Sequence, residues 1–210
     1  MSIAEKLKII KSELPNQVSL VAVSKTKPVA DLMEAYEAGQ RIFGENKIQE
    51  MTEKWEQLPK DIEWHMIGHV QRNKVKYMAE YVSLIHGVDS LKLLKEINKQ
   101  AAKYQRIISC LLQVHIAEEE TKFGLDEGEV LALLQSDEVQ ELTNVKVVGL
   151  MGMATFTDSE TQIRKEFGRL KELFDQAVSI NSEIQILSMG MSGDYKIAID
   201  CGSTMVRIRK

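Results

Sequence analysis

The sequence predicts an α/β protein folded as a single (β/α)8 barrel of the TIM type, preceded by one extra helix. Short runs rich in valine, isoleucine and leucine alternate with longer segments of helical periodicity, a pattern typical of βα units around a parallel sheet. Eight such runs can be counted, with seven crossovers between them. Open doubly wound sheets more often have roughly five or six strands, so the count favours the closed barrel.

The first predicted element is the extra N-terminal helix. Ile3, Leu7, Ile10 and Leu14 follow one another at spacings of four, three and four, which is typical of an amphipathic helix with one buried face. The predicted strands then follow in the order 18–24, 41–44, 62–68, 81–88, 106–116, 145–153, 184–191 and 204–208.

Helical periodicity is clearest in two of the crossovers. One has apolar residues at positions 94, 97, 101 and 104, and the other has them at 163, 167, 170, 174 and 177. The second crossover opens with Ser159 and Gln162, which form a capping-box pattern. A standard barrel also has a helix after strand eight, whereas this chain stops at Arg209 and Lys210, so we expect the N-terminal helix to cover that seam.

Length and composition indicate one domain over residues 1–210. The chain is 44% hydrophobic and 28% charged, and no stretch has the composition of a linker. Its 27 basic and 31 acidic residues are interspersed and leave a net charge of −4, so we expect no nucleic-acid binding. The N-terminus has no signal-peptide pattern and no apolar run approaches the roughly 20 residues that span a bilayer, so we expect a cytoplasmic protein without membrane association.

The spacing of cysteines and histidines predicts no metal site. Cys110 and Cys201 lie in separate apolar stretches without CxxC spacing, and we expect two buried, unpaired thiols. His65 and His69 are four residues apart, but the apolar residues around them indicate a strand and not a metal-binding helix. No HExxH motif is present and no histidine has a carboxylate at a spacing that defines a triad, so we assign no catalytic residue.

Polar residues stand where the predicted strands end, which is the functional face of a barrel. Lys25 follows an apolar strand, so we expect its amine to project into the barrel opening, partly desolvated and beside other cations. These conditions favour a neutral, nucleophilic amine suited to Schiff-base formation, although a solvated lysine is the simpler alternative. The full set is Ser24-Lys25-Thr26, Glu45-Asn46-Lys47, His69, Asp89-Ser90, His115, Met153-Ala154-Thr155, Ser192-Gly193 and Arg207.

Two segments that contain glycine and serine are candidates for binding a phosphate. Segment 188–194 ends strand seven and leads into a short helical stretch, where glycines permit close approach and main-chain amides face outward. Gly202-Ser203-Thr204 precedes strand eight, and barrels commonly bind phosphate beside strands seven and eight. Ordinary turns are the alternative for both segments.

Seven motifs follow one another along the chain: 22–28 (AVSKTKP), 43–47 (FGENK), 64–74 (WHMIGHVQRNK), 122–125 (KFGL), 149–151 (GLM), 188–192 (SMGMS) and 202–208 (GSTMVRI). In this order and with these separations, they resemble the pyridoxal 5′-phosphate (PLP) homeostasis family over nearly the whole chain.

The resemblance implies a single-domain barrel akin to the N-terminal domain of alanine racemase, a PLP enzyme of fold type III. It implies that PLP is held as an internal aldimine on Lys25, with Asn46 beside the cofactor ring and Arg207 at the pyridine nitrogen. It also implies that Ser192 and the turn Gly202-Ser203-Thr204 lie near the phosphate. The implied role is in vitamin B6 homeostasis and amino-acid balance.

The sequence departs from the family after strand eight. Relatives usually continue beyond the Val-Arg-Ile element with a glycine, a small hydroxyl residue and a short segment whose amides bind the phosphate, whereas here the barrel is truncated by Arg209 and Lys210. We hypothesise that one of these cations partly compensates. His115, where relatives often carry asparagine, is a smaller departure.

The resemblance favours a PLP carrier or buffer over a catalyst. An arginine at the pyridine nitrogen keeps that nitrogen unprotonated, which weakens the ring as an electron sink. Racemisation also needs a second base, which alanine racemases take from an additional domain of another subunit, and without that domain we expect a monomer. The implied partners are PLP and apo PLP-dependent enzymes as recipients. Two alternatives stay open: a weak amino-acid racemase that uses Lys25 as base, and an interaction protein with a vestigial site.

Overall fold

The computed structural model describes residues 1–120 and 123–209, and within them eight parallel strands close into a barrel in chain order. The strands are β1 (Ser19–Val23), β2 (Ile42–Glu45), β3 (Glu63–Met66), β4 (Leu84–Val88), β5 (Ile108–Val114), β6 (Val145–Gly152), β7 (Ile186–Met191) and β8 (Met205–Ile208). The helices are α1 (Ile3–Glu13), α2 (Val29–Glu37), α3 (Ile48–Gln57), α4 (Leu91–Lys103), α5 (Glu127–Leu134), α6 (Asp137–Gln140), α7 (Glu160–Ile180) and α8 (Tyr195–Asp200), together with a 3-10 helix at Arg72–Tyr77. The predicted fold class is confirmed.

Each predicted strand run overlaps one observed strand, although β2 ends one residue beyond its run and the bounds differ most at β4. The run 81–88 is a strand only from Leu84, because the main chain turns just before it: the N–H groups of Tyr81 and Val82 both donate to the Met78 carbonyl oxygen, at 3.1 and 2.9 Å. The guanidinium of Arg106 donates to the carbonyl oxygens of Ala79 and Val82 at 2.6 and 2.7 Å. The crossover before β4 is also a 3-10 helix and not the α-helix that the barrel pattern predicts.

Helix α1 packs where a barrel has its eighth outer helix. Leu7 and Ile10 are buried and contact Leu20 of β1 together with Val206 and Ile208 of β8. Strands β1 and β8 pair in parallel and close the barrel. The expectation that α1 covers the seam between them is therefore confirmed.

The two helices with the clearest periodicity form with small differences. The side chain of Ser159 caps α7 by accepting the Gln162 main-chain N–H at 3.3 Å, whereas the Gln162 amide donates to Glu166, so half of the predicted capping box is present. The pattern predicts Tyr104 on the buried face of α4, but Tyr104 follows the last turn of the helix and is 44% exposed.

Side chains alternate between the inside of the barrel and the layer beneath the helices, as strand geometry requires. The inner apolar cluster contains Val21, Leu84, Leu111, Met151 and Met205. The outer layer is larger and joins the strands to α2 through α7. Inward positions nearer the carboxyl ends of the strands therefore decide what chemistry the barrel can offer.

The two thiols differ in burial. Cys110 is fully buried on β5, and burial raises the pKa of its thiol. Cys201 is half-buried because it follows α8 near the surface, so the expectation of two buried thiols is corrected for this residue. In the described part of the chain, no helix has the length and apolar character needed to cross a bilayer. No group of three or more His, Cys, Asp or Glu suited to a metal ion occurs among those residues.

Candidate functional site

The carboxyl ends of all eight strands open at one end of the barrel, which we call the mouth. Because the strands are parallel, the residues that follow each strand meet there. Lys25, Asn46 and Ser192 follow β1, β2 and β7, and Arg209 follows β8. The structure therefore brings Lys25, Asn46 and Ser192 to the same face, as the sequence predicts. Residues Lys122 and Lys210, which belong to the motifs discussed above, lie outside the described residues.

Lys25 stands in the short turn between β1 and α2. Its side chain is half-buried, and no hydrogen bond or ion pair joins its amine to another described residue. The next residue, Thr26, has a φ of 62°, a left-handed conformation that is uncommon for a non-glycine residue. Such a conformation persists only where surrounding contacts hold it. The turn thus presents, on a constrained main chain, an amine that no other residue of the ranges 1–120 and 123–209 binds.

Asn46 is fixed at the rim by close packing of neighbouring main chains. A Cβ atom at Gly68 would lie 2.5 Å from the Asn46 carbonyl oxygen, and one at Gly87 would lie 2.7 Å from the Gly68 carbonyl oxygen. Side chains at these two positions would push the ends of the strands apart. Within the described residues, the side-chain amide of Asn46 has no hydrogen-bond partner, which leaves it available to a ligand.

A chain of buried polar side chains crosses the inside of the barrel and ends at Arg207. The Arg207 guanidinium donates to the carbonyl oxygen of Ser188 at 3.1 Å, to the Ser188 hydroxyl, and to the carbonyl oxygen of Gly152 at 3.3 Å. Ser188 Oγ lies 2.9 Å from His86 Nδ1, and His86 Nε2 lies 2.9 Å from His65 Nδ1. Because a guanidinium can only donate hydrogen bonds, the Ser188 hydroxyl accepts one from Arg207. The same hydroxyl can then donate a hydrogen bond to His86.

Burial sets the charges along this polar chain. It lowers the pKa of His65 to about 3 and that of His86 well below its usual value, so both imidazoles are neutral near pH 7. Burial also lowers the pKa of Arg207 to about 10, against the opposing charge of Asp194, so the guanidinium keeps its proton. Arg207 is therefore a buried cation whose hydrogen bonds to described residues go to neutral acceptors.

Ser192 and Arg209 join the ends of β7 and β8. The Ser192 hydroxyl donates to the Arg209 carbonyl oxygen at 3.0 Å and accepts from the Arg209 main-chain N–H at 2.9 Å. The Arg209 guanidinium reaches across to the Thr26 hydroxyl at 2.9 Å. A cation thus stands at the rim between Ser192 and the turn that carries Lys25.

Gly202, Ser203 and Thr204 lie at the opposite end of the barrel, and their predicted place near a phosphate is corrected. Ser203 Oγ is buried against the carbonyl oxygens of Leu187, Met189 and Met205, at 3.3, 2.6 and 3.0 Å. Residues that precede a parallel strand lie at its amino end, and β8 then rises about 3.3 Å per residue toward the mouth. The hydroxyls of this turn therefore hold β7 to β8 and do not reach Lys25.

The remaining rim residues mostly hold loops. The His69 ring stacks on Phe123 with centroids 4.4 Å apart, and its Nδ1 lies 4.0 Å from an Asp89 carboxylate oxygen. His115 Nε2 lies 2.9 Å from the Glu119 carbonyl oxygen. Beside Asn46 and His69, a cavity of about 630 Å³ opens between α3 and the 3-10 helix. These contacts explain why the rim is polar without assigning each polar residue to a ligand.

Three residues of the buried polar chain are not predicted as functional by the sequence. His65 and His86 are interpreted there as isolated core or loop histidines, and Ser188 only as the start of a candidate phosphate segment. Their signal is a polar residue at an inward position of an otherwise apolar strand, which alternation along β3, β4 and β7 could reveal.

The barrel and its mouth define the class of protein. The family model of the alanine racemase N-terminal domain matches residues 1–208. Alanine racemase from Clostridium difficile superposes with a TM-score of 0.84 over 99% of this chain and 58% of that one, but at 16% identity, which shows a shared fold alone.

Closer relatives identify the particular family within this class. The pyridoxal phosphate homeostasis protein of Haemophilus influenzae is 39% identical over 198 residues, covering 92% of this chain and 83% of that protein. The protein of the same name from Aquifex aeolicus is 40% identical over 195 residues, covering 92% and 85%. PipY of Synechococcus elongatus, solved with PLP bound, is 34% identical with a TM-score of 0.90 and covers 99% of this chain and 98% of that one. The chain belongs to the pyridoxal phosphate homeostasis protein family.

Proposed function

We propose that residues 1–210 form a single barrel domain that binds PLP covalently through Lys25 and serves as a PLP carrier or buffer in vitamin B6 homeostasis and amino-acid balance. The observation that carries this proposal is the placement of Lys25 and Arg207. Strands β1 and β8 are neighbours, with Val21 paired to Arg207. A half-buried amine that has no partner among the described residues therefore follows one strand, and a buried cation lies on the other. PipY, which shares the fold and a third of the sequence, has been solved with PLP bound.

The residues at the mouth fit the chemistry of PLP. Lys25 would hold its aldehyde carbon, Arg207 would donate to its ring nitrogen, and Asn46 would flank the ring. Ser192 and Arg209 bring a hydroxyl and a side-chain cation together at the rim, which suits a phosphate. Gly202, Ser203 and Thr204 are left out of this set because they support the strands from the other end.

The chain's own groups favour holding the cofactor over activating it. When bound, PLP supplies an aldehyde that reacts with amines and a pyridine ring that can withdraw electrons. Arg207 has only donors to offer and keeps its proton, so it would donate to a ring nitrogen and would not supply that nitrogen with a proton. His86 and Ser188 fix the guanidinium in place and, being neutral, supply no acid.

Recipients, assembly and location extend this proposal. Apo PLP-dependent enzymes are the natural recipients of a carrier, because they need the same aldehyde in bound form. We propose that the chain acts as a monomer in the cytoplasm, where those enzymes are found. The name of the relatives, which refers to pyridoxal phosphate homeostasis, supports PLP-dependent enzymes as recipients.

The racemase alternative receives less support. The relatives that match over most of their own length carry the homeostasis name, whereas the racemases match at 16% identity over 58% of theirs. Among the residues of the mouth that the structure describes, none is identified as the second base that racemisation requires. The comparisons therefore support the homeostasis role and not the racemase.

Transfer of PLP to an apo-enzyme tests the carrier role. The protein is loaded with PLP, freed of unbound cofactor and mixed with an apo-transaminase, and recovered activity is followed against free PLP at the same concentration. We expect the loaded wild-type protein to restore transaminase activity. Lys25→Ala should deliver no more PLP than a control in which PLP alone is passed over the same column. Deuterium exchange at the Cα of alanine above the rate with free PLP, without delivery, would overturn the carrier role in favour of the racemase.

A further inference from the structure

The peptide groups on both sides of Lys25 are held by two side chains of α3. Lys54 Nζ donates to the carbonyl oxygen of Ser24 at 2.7 Å, and Glu50 Oε1 accepts from the main-chain N–H of Thr26 at 2.6 Å. The Ser24 carbonyl belongs to the peptide bond before Lys25, and the Thr26 amide belongs to the one after it. Hydrogen bonds from α3 thus hold the peptide groups before and after Lys25.

Lys54 and Glu50 are themselves held in place by other polar side chains. Lys54 Nζ also donates to Glu50 Oε1 at 2.7 Å and to Glu45 Oε1 at 2.6 Å, so its three hydrogens each have an acceptor. The Ser24 hydroxyl donates to the same Glu45 oxygen at 2.7 Å. The Lys54 and Glu45 side chains are 6% and 0% exposed. Burying these charges costs desolvation free energy, and apolar side chains of similar size could fill the same space. We therefore infer that the cluster serves to bind the two peptide groups beside Lys25.

Thr26 is the residue that most needs this support. Its left-handed φ of 62° costs free energy that neighbouring contacts must offset. The Glu50 carboxylate holds its N–H, and the Arg209 guanidinium holds its hydroxyl. Burial alone would raise the pKa of Glu50, but the bonds from Lys54 and from the Thr26 amide lower it, so Glu50 is an ionised acceptor at neutral pH.

We propose that Glu50 and Lys54 are positioning residues that fix the main chain of Lys25, and so aim its amine into the mouth. Neither side chain binds the amine itself in the structure. The consequence for PLP rests on the proposed function, whereas the consequence for the turn does not.

The first test needs no cofactor. Hydrogen exchange of the Thr26 amide is measured by NMR in the wild type, Glu50→Ala, Glu50→Gln and Glu166→Ala. Glu166 is a matched control, since it is a buried carboxylate on α7 that accepts the Thr155 main-chain N–H at 2.7 Å after β6. We expect Thr26 exchange to speed up at least about tenfold in Glu50→Ala, or about 1.4 kcal/mol, and to be unchanged in Glu166→Ala. Unchanged Thr26 exchange in Glu50→Ala would overturn the proposal.

The second test measures the dissociation constant of PLP and the Lys25-dependent absorbance band in the same variants. We expect the constant to rise about tenfold in Glu50→Ala, to rise less in Glu50→Gln, which keeps an acceptor oxygen, and to stay within about twofold in Glu166→Ala. Equal losses of PLP affinity in Glu50→Ala and Glu166→Ala would mean that Glu50 contributes only to the stability of the fold, which would contradict the proposal. If Glu50→Ala does not fold, Glu50→Gln against Glu166→Gln gives the same comparison. A wild type without the band would refute PLP binding, while the amide exchange would still decide the positioning of the turn.

Discussion

The Ser192 hydroxyl and the main chain of Arg209 exchange two hydrogen bonds, one given to the Arg209 carbonyl oxygen at 3.0 Å and one received from its N–H at 2.9 Å. This pair ties the end of β7 to the end of β8 and directs the Arg209 side chain toward Thr26. The relationship gives a structural basis for the hypothesis that a cation compensates for the altered segment after β8. Ser192 acts there as the anchor and Arg209 as the charge.

Arg209→Ala is expected to weaken PLP binding about tenfold, because it removes a charge-assisted contact to the phosphate. Binding of pyridoxal, which lacks the phosphate, should not change. Both dissociation constants can be measured by absorbance titration, with Arg169→Ala as the control because Arg169 is a surface residue paired with Glu127. Unchanged PLP affinity in a variant with both Arg209 and Lys210 changed to alanine would remove the hypothesis.

Ser188→Ala is expected to lower the free energy of unfolding by about 1–3 kcal/mol, because it leaves the buried His86 Nδ1 without its partner and removes one of the three acceptors of the Arg207 guanidinium. Urea denaturation gives this value directly. Ser12→Ala, at an exposed hydroxyl of α1, serves as the control and should change stability by less than about 0.5 kcal/mol. A similar loss in both variants would contradict the importance of the buried polar chain.

Stability is expected to fall with decreasing pH because of His65 and His86. In the unfolded chain both rings take up a proton below a pKa of about 6.5, whereas the folded state keeps His65 neutral down to about 3. The unfolded state therefore binds more protons in this window, and each histidine lowers the free energy of unfolding by about 1.4 kcal/mol per pH unit below pH 6.

Urea denaturation at several pH values between 7 and 5 measures this slope. His65→Gln should reduce it, whereas Ser12→Ala, at an exposed hydroxyl of α1 that does not titrate, should not. Identical slopes for the two variants would mean that other groups dominate the titration.

Helix α1 offers a test of how the barrel seam is covered. Ile10→Ala should lower the free energy of unfolding by about 2–5 kcal/mol, because Ile10 is buried against β1 and β8. Ile9→Ala is the matched control, because Ile9 is 46% exposed and its substitution should lower the free energy of unfolding much less. Equal losses in urea denaturation would show that α1 does not stabilise the seam.

The fold could be predicted from the sequence because strand and helix periodicity are local properties. Each predicted run overlaps a strand, and the largest difference in bounds lies before β4, where the main chain turns at Met78 and Arg106 binds the Ala79 and Val82 carbonyl oxygens. Helix α1 could be placed at the seam because the barrel has one uncovered position and the chain has one additional amphipathic helix.

The site could be predicted only in part. The rule that strand ends carry function finds Lys25, Asn46 and Ser192, because it depends on strand direction alone. The rule does not apply to Gly202-Ser203-Thr204, which precedes its strand. The contacts inside the barrel and around the Lys25 turn could not be predicted for another reason, because they join residues that are far apart in the chain.

Those contacts depend on register and on the rotation of helices. His86 meets Ser188 across 102 positions of the sequence, and Lys54 meets Ser24 across 30. No local pattern encodes which inward residues of β3, β4 and β7 share a layer, or which face of α3 meets the turn after β1. The positioning residues therefore become visible only in three dimensions.

The central claim, that Lys25 binds PLP covalently, is tested most directly by the absorbance spectrum of the protein with added PLP, before and after borohydride. Lys27→Ala is the control for Lys25→Ala, since Lys27 is a neighbouring lysine of the same turn. We expect a band at about 420 nm in the wild type and in Lys27→Ala, fixed by borohydride to a peptide that contains Lys25, and no such band in Lys25→Ala. A band that persists in Lys25→Ala, or one that is absent from the wild type, would contradict the account.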